Sequence, residues 1–205
     1  MSSSMPQAPK KAKLSIVLLA AGSSSRLGQA KQLLPFKDTT LVRHRVATIT
    51  RALGDEHNVF VVTGAKREEV RNELAMLSYT EVYNDQFSEG MSTSIKAGLA
   101  CLPTDAEAVM FLLVDQPFVS EKHLSEMVGK WLNDKSKVLG AAYSGIIGVP
   151  AIFPRSYFEQ LLLLKGDQGA RKIIKNLADT EILAYPLPEA SVDLDTLEDL
   201  KAIGL

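Results

Sequence analysis

The chain has 205 residues, 46% of them apolar, and its 23 Lys and Arg against 24 Asp and Glu leave a net charge of −1. That length suits one well-buried α/β domain and is short for two. A nearly neutral balance gives no broad basic field, so nucleic acid is not expected as a partner. Cys101 is the sole cysteine, which excludes an internal disulfide and fits a reducing cytoplasm; a packed helical thiol is its expected role. Residues 1–13 (MSSSMPQAPKKAK) are rich in Ser, Pro and Lys and lack an apolar stretch, which reads as a disordered leader before a single domain over 14–205. The apolar runs at 14–21 and 106–114 are strand-length, well short of the roughly 20 residues a membrane helix needs, so no membrane partner is expected.

In chain order, short runs rich in Val, Ile, Leu and Phe at 14–19, 58–63, 80–83, 108–114 and 137–142 read as buried strands. Between them apolar residues recur at helical spacing. Val42, Val46, Ile49 and Leu53 mark one helix, Ile95, Leu99 and Leu102 another. Leu124, Met127, Val128 and Trp131 mark a further one, with Ser120 as its N-cap, and Ala170, Ile173, Ile174 and Leu177 the last of these stripes. Such alternation predicts a three-layer α/β/α sandwich around a mostly parallel, Rossmann-like sheet. In such sheets ligands sit beyond the carboxyl ends of the strands, so the loops after Leu19 and after Val114 are expected on one edge.

The first of those loops, LAAGSSSRLGQAK (19–31), carries Gly22, Ser23, Ser24, Ser25, Arg26, Gly28 and Lys31. A glycine turn after a strand lets backbone N–H groups approach phosphate oxygens, and two cations add what dipoles alone lack. The spacing excludes a P-loop and a dinucleotide fingerprint; a merely basic strand-to-helix connection is the alternative. The second loop begins Asp115-Gln116-Pro117. A carboxylate facing a cationic phosphate loop suits a Mg²⁺–nucleotide site, although Asp115 could equally start a turn. Near the C-terminus, Asp193 and Asp195 alternate with apolar residues before a helix expected from Thr196, whose spacing to Asp199 is that of a capping box. Asp195 is a candidate metal ligand or part of a solvated acidic face. The serines of GMSTSIKAGL (90–99) could read a nucleobase or ribose, or cap their helix.

Taken together these segments resemble the molybdenum cofactor cytidylyltransferase branch of the MobA-like nucleotidyltransferases. LAAGSSSRLGQAK, GMSTSIKAGL (90–99), VDQPFV (114–119), GVPAIFP (148–154), GDQGAR (166–171) and VDLDTLEDL (192–200) match the family's blocks in order. The resemblance implies the nucleotide-diphospho-sugar transferase-like fold and a Mg²⁺-dependent reaction, with Mn²⁺ as the other metal. It implies Arg26 and Lys31 as catalytic cations and Asp115 and Asp195 as metal ligands. Leu19, Ala20, Ala21, Gly22, Ser23, Ser24, Gly28, Thr63, Ser94 and Asp115 would line the nucleotide, and Ala21 sides with CTP over GTP. Gly148, Pro150, Asp167 and Arg171 fall where the acceptor, molybdopterin, is shaped. Val149 stands where His is common, and Leu197 where Pro is common; the first bears on acceptor identity.

The implied chemistry is attack by an acceptor phosphate on the α-phosphorus of CTP. A phosphate monoester, with its second pKa about 6, needs no protein base, and His44, His57 and His123 are expected to be structural or exposed, away from every motif. A different phosphorylated acceptor (methylerythritol phosphate or a sugar 1-phosphate) and a non-catalytic cofactor carrier are the rival expectations. A molybdoenzyme or its chaperone is a further expected partner.

Overall fold

The computed structural model describes residues 13–23, 30–54 and 56–192. Its elements are β1 (Leu14–Ala20), β2 (Pro35–Phe36), β3 (Thr39–Thr40), α1 (Leu41–Leu53), β4 (Asn58–Thr63), α2 (Arg67–Glu73), β5 (Thr80–Tyr83) and α3 (Met91–Ala100). They continue with β6 (Ala108–Leu113), α4 (Glu121–Leu132), β7 (Val138–Tyr143), β8 (Ile146–Pro154), α5 (Phe158–Leu162), α6 (Arg171–Ile174) and β9 (Ile182–Pro186). The main sheet has the order β5-β4-β1-β6-β8-β7-β9. β1 pairs in parallel with β4 and β6, and β4 with β5.

Every residue of β1 is buried, as a central strand covered on both faces must be. Alternation then divides its side chains. Ile16 and Leu18 join Met110 and Leu112 of β6 under α1 and α4, through Val42, Val46, Leu124 and Trp131. Val17 and Leu19 join Val109 and Phe111 under α3, α5 and α6, through Ile95, Leu161 and Ile173. Two cores on opposite faces of one sheet make the expected three layers.

β8 departs from the parallel pattern. It runs antiparallel to both β6 and β7, because Ser144 (φ 47°) and Gly145 (φ 73°) turn β7 straight back in a two-residue hairpin. Positive φ at both central residues matches the twist of the flanking strands. The reversal brings Gly148 to Pro150, early in β8, to the carboxyl end of β6.

α4 starts as the sequence predicts. The Ser120 hydroxyl accepts the His123 N–H at 3.3 Å, and His123 Nδ1 accepts the Ser120 N–H at 3.2 Å. This is a capping box with a histidine in the place of the usual glutamate or glutamine, so His123 is structural. Other expectations are corrected. The stripe from Ala170 to Leu177 makes only the four-residue α6, since the segment packs as a short plug over the sheet. Cys101 follows α3 as its C-cap and is exposed, not packed, because the apolar stripe of that helix faces the other way. The leader and the helix expected from Thr196 lie outside the described residues.

Arg45 of α1 is fully buried. Its Nη1 donates to the Val119 carbonyl at 2.6 Å, whereas Nε and Nη2 have no partner among the described residues. Burial pulls its pKa down to about 10, partly offset by the charge of Asp115. A buried cation with unfilled donors holds the loop after β6 at an energetic cost. Replacing it with a well-packed apolar chain, Arg45→Met, is expected to leave stability unchanged or raise it by about 1–2 kcal/mol. Trp131→Ala, which empties a core site 1% exposed, should cost about 3–5 kcal/mol. Urea unfolding of the two variants beside the wild type measures both.

Candidate functional site

Because β1, β4 and β6 are parallel, their exits share one rim. β1 ends at Ala20 and the chain continues through Ala21, Gly22 and Ser23. The Ala65 N–H, just past β4, donates to the Ala21 carbonyl at 3.0 Å. Gly64 permits this approach, since a Cβ there would stand 2.7 Å from the Ala21 oxygen and 2.8 Å from Phe87. The chain returns through Ala30 to a short helical turn, Lys31–Leu33. From it Lys31 Nζ reaches Asp115 Oδ2 at 2.8 Å, with both side chains mostly buried. Arg26, Ser24, Gly28 and Asp195 lie outside the described residues.

Asp115 leaves β6 with one carboxylate oxygen on Lys31. Its Oδ1 is buried and has no hydrogen-bond partner among the described residues. A hard anionic oxygen left without a donor is what a Mg²⁺ or Mn²⁺ ligand offers. Among the described residues no group of three or more His, Cys, Asp or Glu could hold a metal. An ion at Asp115 would therefore take much of its shell from phosphate oxygens and water, as divalent ions in nucleotide sites do.

The next residue, Gln116, is 1% exposed, and its Nε2 donates to Val149 O (3.2 Å) and Ala190 O (2.9 Å). This one amide ties the Asp115 loop to the start of β8 and to the turn Pro188–Ser191, from which the chain runs on toward the acidic segment at 193. Gly148 and Pro150 thereby sit beside Asp115. Tyr143 packs over Gly148, where a Cβ would come 2.7 Å from the phenol oxygen.

On the other flank, Asn84 organises the serines of α3. Its N–H donates to Thr63 O at 2.9 Å, and its Nδ2 donates to Thr93 Oγ1 (2.9 Å) and Ser94 Oγ (3.0 Å). Its Oδ1 accepts the Gln86 N–H at 3.0 Å. Toward Asn84 the Ser94 hydroxyl is an acceptor, which leaves its own hydrogen uncommitted in that contact. Gly90 (φ 110°) precedes α3 so closely against the next segment that a Cβ would lie 2.3 Å from the Gly166 carbonyl carbon and 2.7 Å from Asp167 N. Only glycine fits both the conformation and the space. The Ser92 N–H donates to Gly166 O at 3.0 Å, so exposed Asp167 stands at the head of α3. Arg171 opens α6 as an exposed side chain, two residues after Gly169, which packs against Met91.

Three expectations change. Thr63 is fully buried and its hydroxyl donates to Glu81 Oε1 at 2.8 Å, so its side chain is engaged inside the fold. Glu81 also accepts from Arg67 Nε at 2.8 Å and Nη2 at 3.2 Å, and that pairing holds its carboxyl below the ordinary glutamate range. Leu19 and Ala20 are likewise buried, with the Leu19 carbonyl taking the Val114 N–H at 3.3 Å. His44 is not remote from every motif: Nε2 lies 3.3 Å from Pro117 O and its ring lies 4.7 Å from that of Phe36. Burial first, and Lys37 second, lower its pKa; it braces the Asp115 loop from behind as a neutral ring.

Gln32, Arg45, Asn84 and Glu81 were not singled out by sequence. Asn84 had a cue, a polar residue directly after a strand at a sheet rim. The others sit in helical or strand contexts whose burial depends on distant partners.

Residues 16–181 match the MobA-like NTP transferase domain. The chain is 35% identical over 196 residues to nicotine blue oxidoreductase of Paenarthrobacter nicotinovorans, covering 90% of this chain and 93% of that protein. It is 31% identical over 184 residues to molybdenum cofactor cytidylyltransferase of Escherichia coli K12, covering 89% and 91%. Among solved structures it resembles Rv0371C from Mycobacterium tuberculosis H37Rv in complex with manganese, with TM-score 0.74, 26% identity and 93% and 97% of the two chains covered. With its sheet, its paired exits and this breadth of similarity, the chain belongs to the MobA-like NTP transferases and is a nucleotidyltransferase.

Proposed function

We propose that the chain transfers CMP from CTP to the phosphate of molybdopterin, in the presence of a divalent ion, with release of pyrophosphate. The observation that carries this reading is the Lys31–Asp115 pair at 2.8 Å on the shared rim, with the second carboxylate oxygen unpaired among the described residues. The 31% identity to a molybdenum cofactor cytidylyltransferase across 91% of that protein favours this acceptor.

In the reaction, an acceptor phosphate oxygen forms a bond to the α-phosphorus and the α–β phosphoanhydride bond breaks, its electron pair leaving on pyrophosphate. The nucleophile is already ionised near neutral pH, so the site needs no general base, and none of the histidines stands in one. Lys31 would turn from Asp115 to the triphosphate, meeting charge that develops at the α-phosphorus and leaving group. Asp115, with Asp195 as the proposed second ligand, would hold Mg²⁺ or Mn²⁺; the ion supplies charge neutralisation between two anionic substrates. Arg26 is proposed as the second catalytic cation, with Ser23, Ser24 and Gly28 in the same turn. Ala21, Gly22 and Ser94 would face the nucleotide, and Gly148, Pro150, Asp167 and Arg171 the acceptor. The whole of 14–205 is read as one catalytic domain acting in the cytoplasm. Among the described residues no helix is long and apolar enough to cross a membrane.

Val149 favours a second reading for the acceptor half alone. Its carbonyl is occupied by Gln116 and its side chain packs against the α3-side core, so this position offers an apolar wall, which would also suit transfer to another phosphorylated acceptor.

Pyrophosphate release from CTP, GTP and ATP against molybdopterin, methylerythritol phosphate and sugar 1-phosphates tests the proposal, with the product mass naming the acceptor. CTP with molybdopterin is expected to dominate; release from every nucleotide without an acceptor would sink it. Lys31→Ala should lower turnover about 10²–10³-fold, as loss of a preorganised donor to a developing charge does. Asp115→Asn should shift the Mn²⁺ titration of the CTP complex, read by electron paramagnetic resonance, to at least about tenfold higher metal, since losing even a partner that only orients a metal ligand costs about 10–100-fold. An unchanged titration would remove Asp115 from the metal.

A further inference from the structure

Gln32 lies directly after the catalytic lysine, in the short helical turn that brings the chain back from the glycine loop. It is 1% exposed. Its Nε2 donates to Ala20 O at 2.7 Å and to Gly22 O at 2.6 Å. Two carbonyls converging on one end of the carboxamide require the amine there, because the oxygen would be repelled by both. Between them, the Ala21 carbonyl is taken by the Ala65 N–H. Three successive carbonyls at the exit of β1 are thus drawn into the protein.

A trans peptide unit points its N–H opposite to its C=O. Holding the carbonyls of Ala20, Ala21 and Gly22 therefore turns the N–H groups of Ala21, Gly22 and Ser23 away from the residues that hold them. Among the described residues, none of these amides has an acceptor. Ala21 is only 3% exposed, and a buried N–H with no acceptor among the described residues is costly. Among the described residues nothing stands within 4 Å of where a Gly22 Cβ would be.

We propose that Gln32 is a positioning residue for the nucleotide: its side-chain amide sets the direction of the backbone donors at 21–23 and so prepares the turn for the anionic and carbonyl oxygens of a nucleoside triphosphate. The proposal rests on the nucleotidyl-transfer reading above and adds to it the element that aims the donors. Gln32 touches no substrate and acts through the backbone it holds. Preorganised donors spare the ligand the cost of ordering them, so loss of the clamp should weaken binding more than it slows chemistry.

Gln32→Met keeps the length and apolar bulk of the side chain without its donors, and Gln32→Glu sets an acceptor against both carbonyls. Amide hydrogen exchange in the ligand-free protein is read at Ala65, whose acceptor is the Ala21 carbonyl between the two held ones, together with the thermal midpoint. Exchange at Ala65 is expected to quicken about tenfold in both variants, as follows from losing a hydrogen bond worth about 1.4 kcal/mol. Affinity for CTP with Mg²⁺, by calorimetry, should fall about tenfold for Gln32→Met and further for Gln32→Glu, with kcat at saturating CTP within about threefold of wild type. Unchanged exchange at Ala65 in a folded variant overturns the clamp. Faster exchange with unchanged CTP affinity overturns its positioning role and leaves it a packing residue. If the wild type itself binds no CTP, the nucleotide reading fails, and the exchange result still judges whether Gln32 holds the turn.

Discussion

Lys31 and Asp115, 84 residues apart, meet at 2.8 Å because β1 and β6 run parallel side by side in the centre of the sheet. The ladder places Leu19 opposite Leu113, so the chain segments that leave both strands emerge at the same height. The ion pair is a consequence of that register. A shift of one residue would turn the alternate core faces over and separate the two exits. The paired side chains are mostly buried, so their attraction is less screened than at an open surface.

Around this pair the rim is assembled largely by side-chain amides. Gln32 holds the turn after β1, Gln116 joins the loop after β6 to the start of β8, and Asn84 holds the head of α3 against the end of β4. A carboxamide suits this work because it carries donors and an acceptor without charge. It can hold irregular backbone in a buried setting where a cation would pay for desolvation. Arg45 shows the contrast: it performs a similar bracing task on Val119, but as a buried guanidinium with two nitrogens unpartnered among the described residues and its pKa drawn down to about 10.

The two halves of the rim differ in character. Toward α3 the groups are hydroxyls and backbone amides, neutral and directional. Toward β8 stand Gly148, the wall of Val149 and the covering ring of Tyr143, with exposed Asp167 and Arg171 beyond. The pair and the spare oxygen of Asp115 lie between.

Much of this was legible without coordinates. Strands at 58–63 and 80–83 have their observed bounds, those expected at 14–19 and 108–114 differ by one residue at one end, and that expected at 137–142 is shifted by one residue, because a run of β-branched and aliphatic residues buried on both faces leaves little choice of conformation. Ser120 as a cap, the stripes of α1 and α4, and the candidate pairing of the loops after Leu19 and Val114 follow from equally local rules. The sequence could not say that Ser144 and Gly145 would reverse the chain and carry Gly148 to the rim, that α6 would stop after one turn, or that Thr63 would spend its hydroxyl on Glu81. Nor could it single out Gln32, Asn84 and Arg45, whose roles depend on which carbonyls and charges the folded sheet brings beside them. Local residue chemistry determines the elements and the kinds of group available; register and topology, which arise from contacts far apart in the chain, decide which groups meet and which way each donor points.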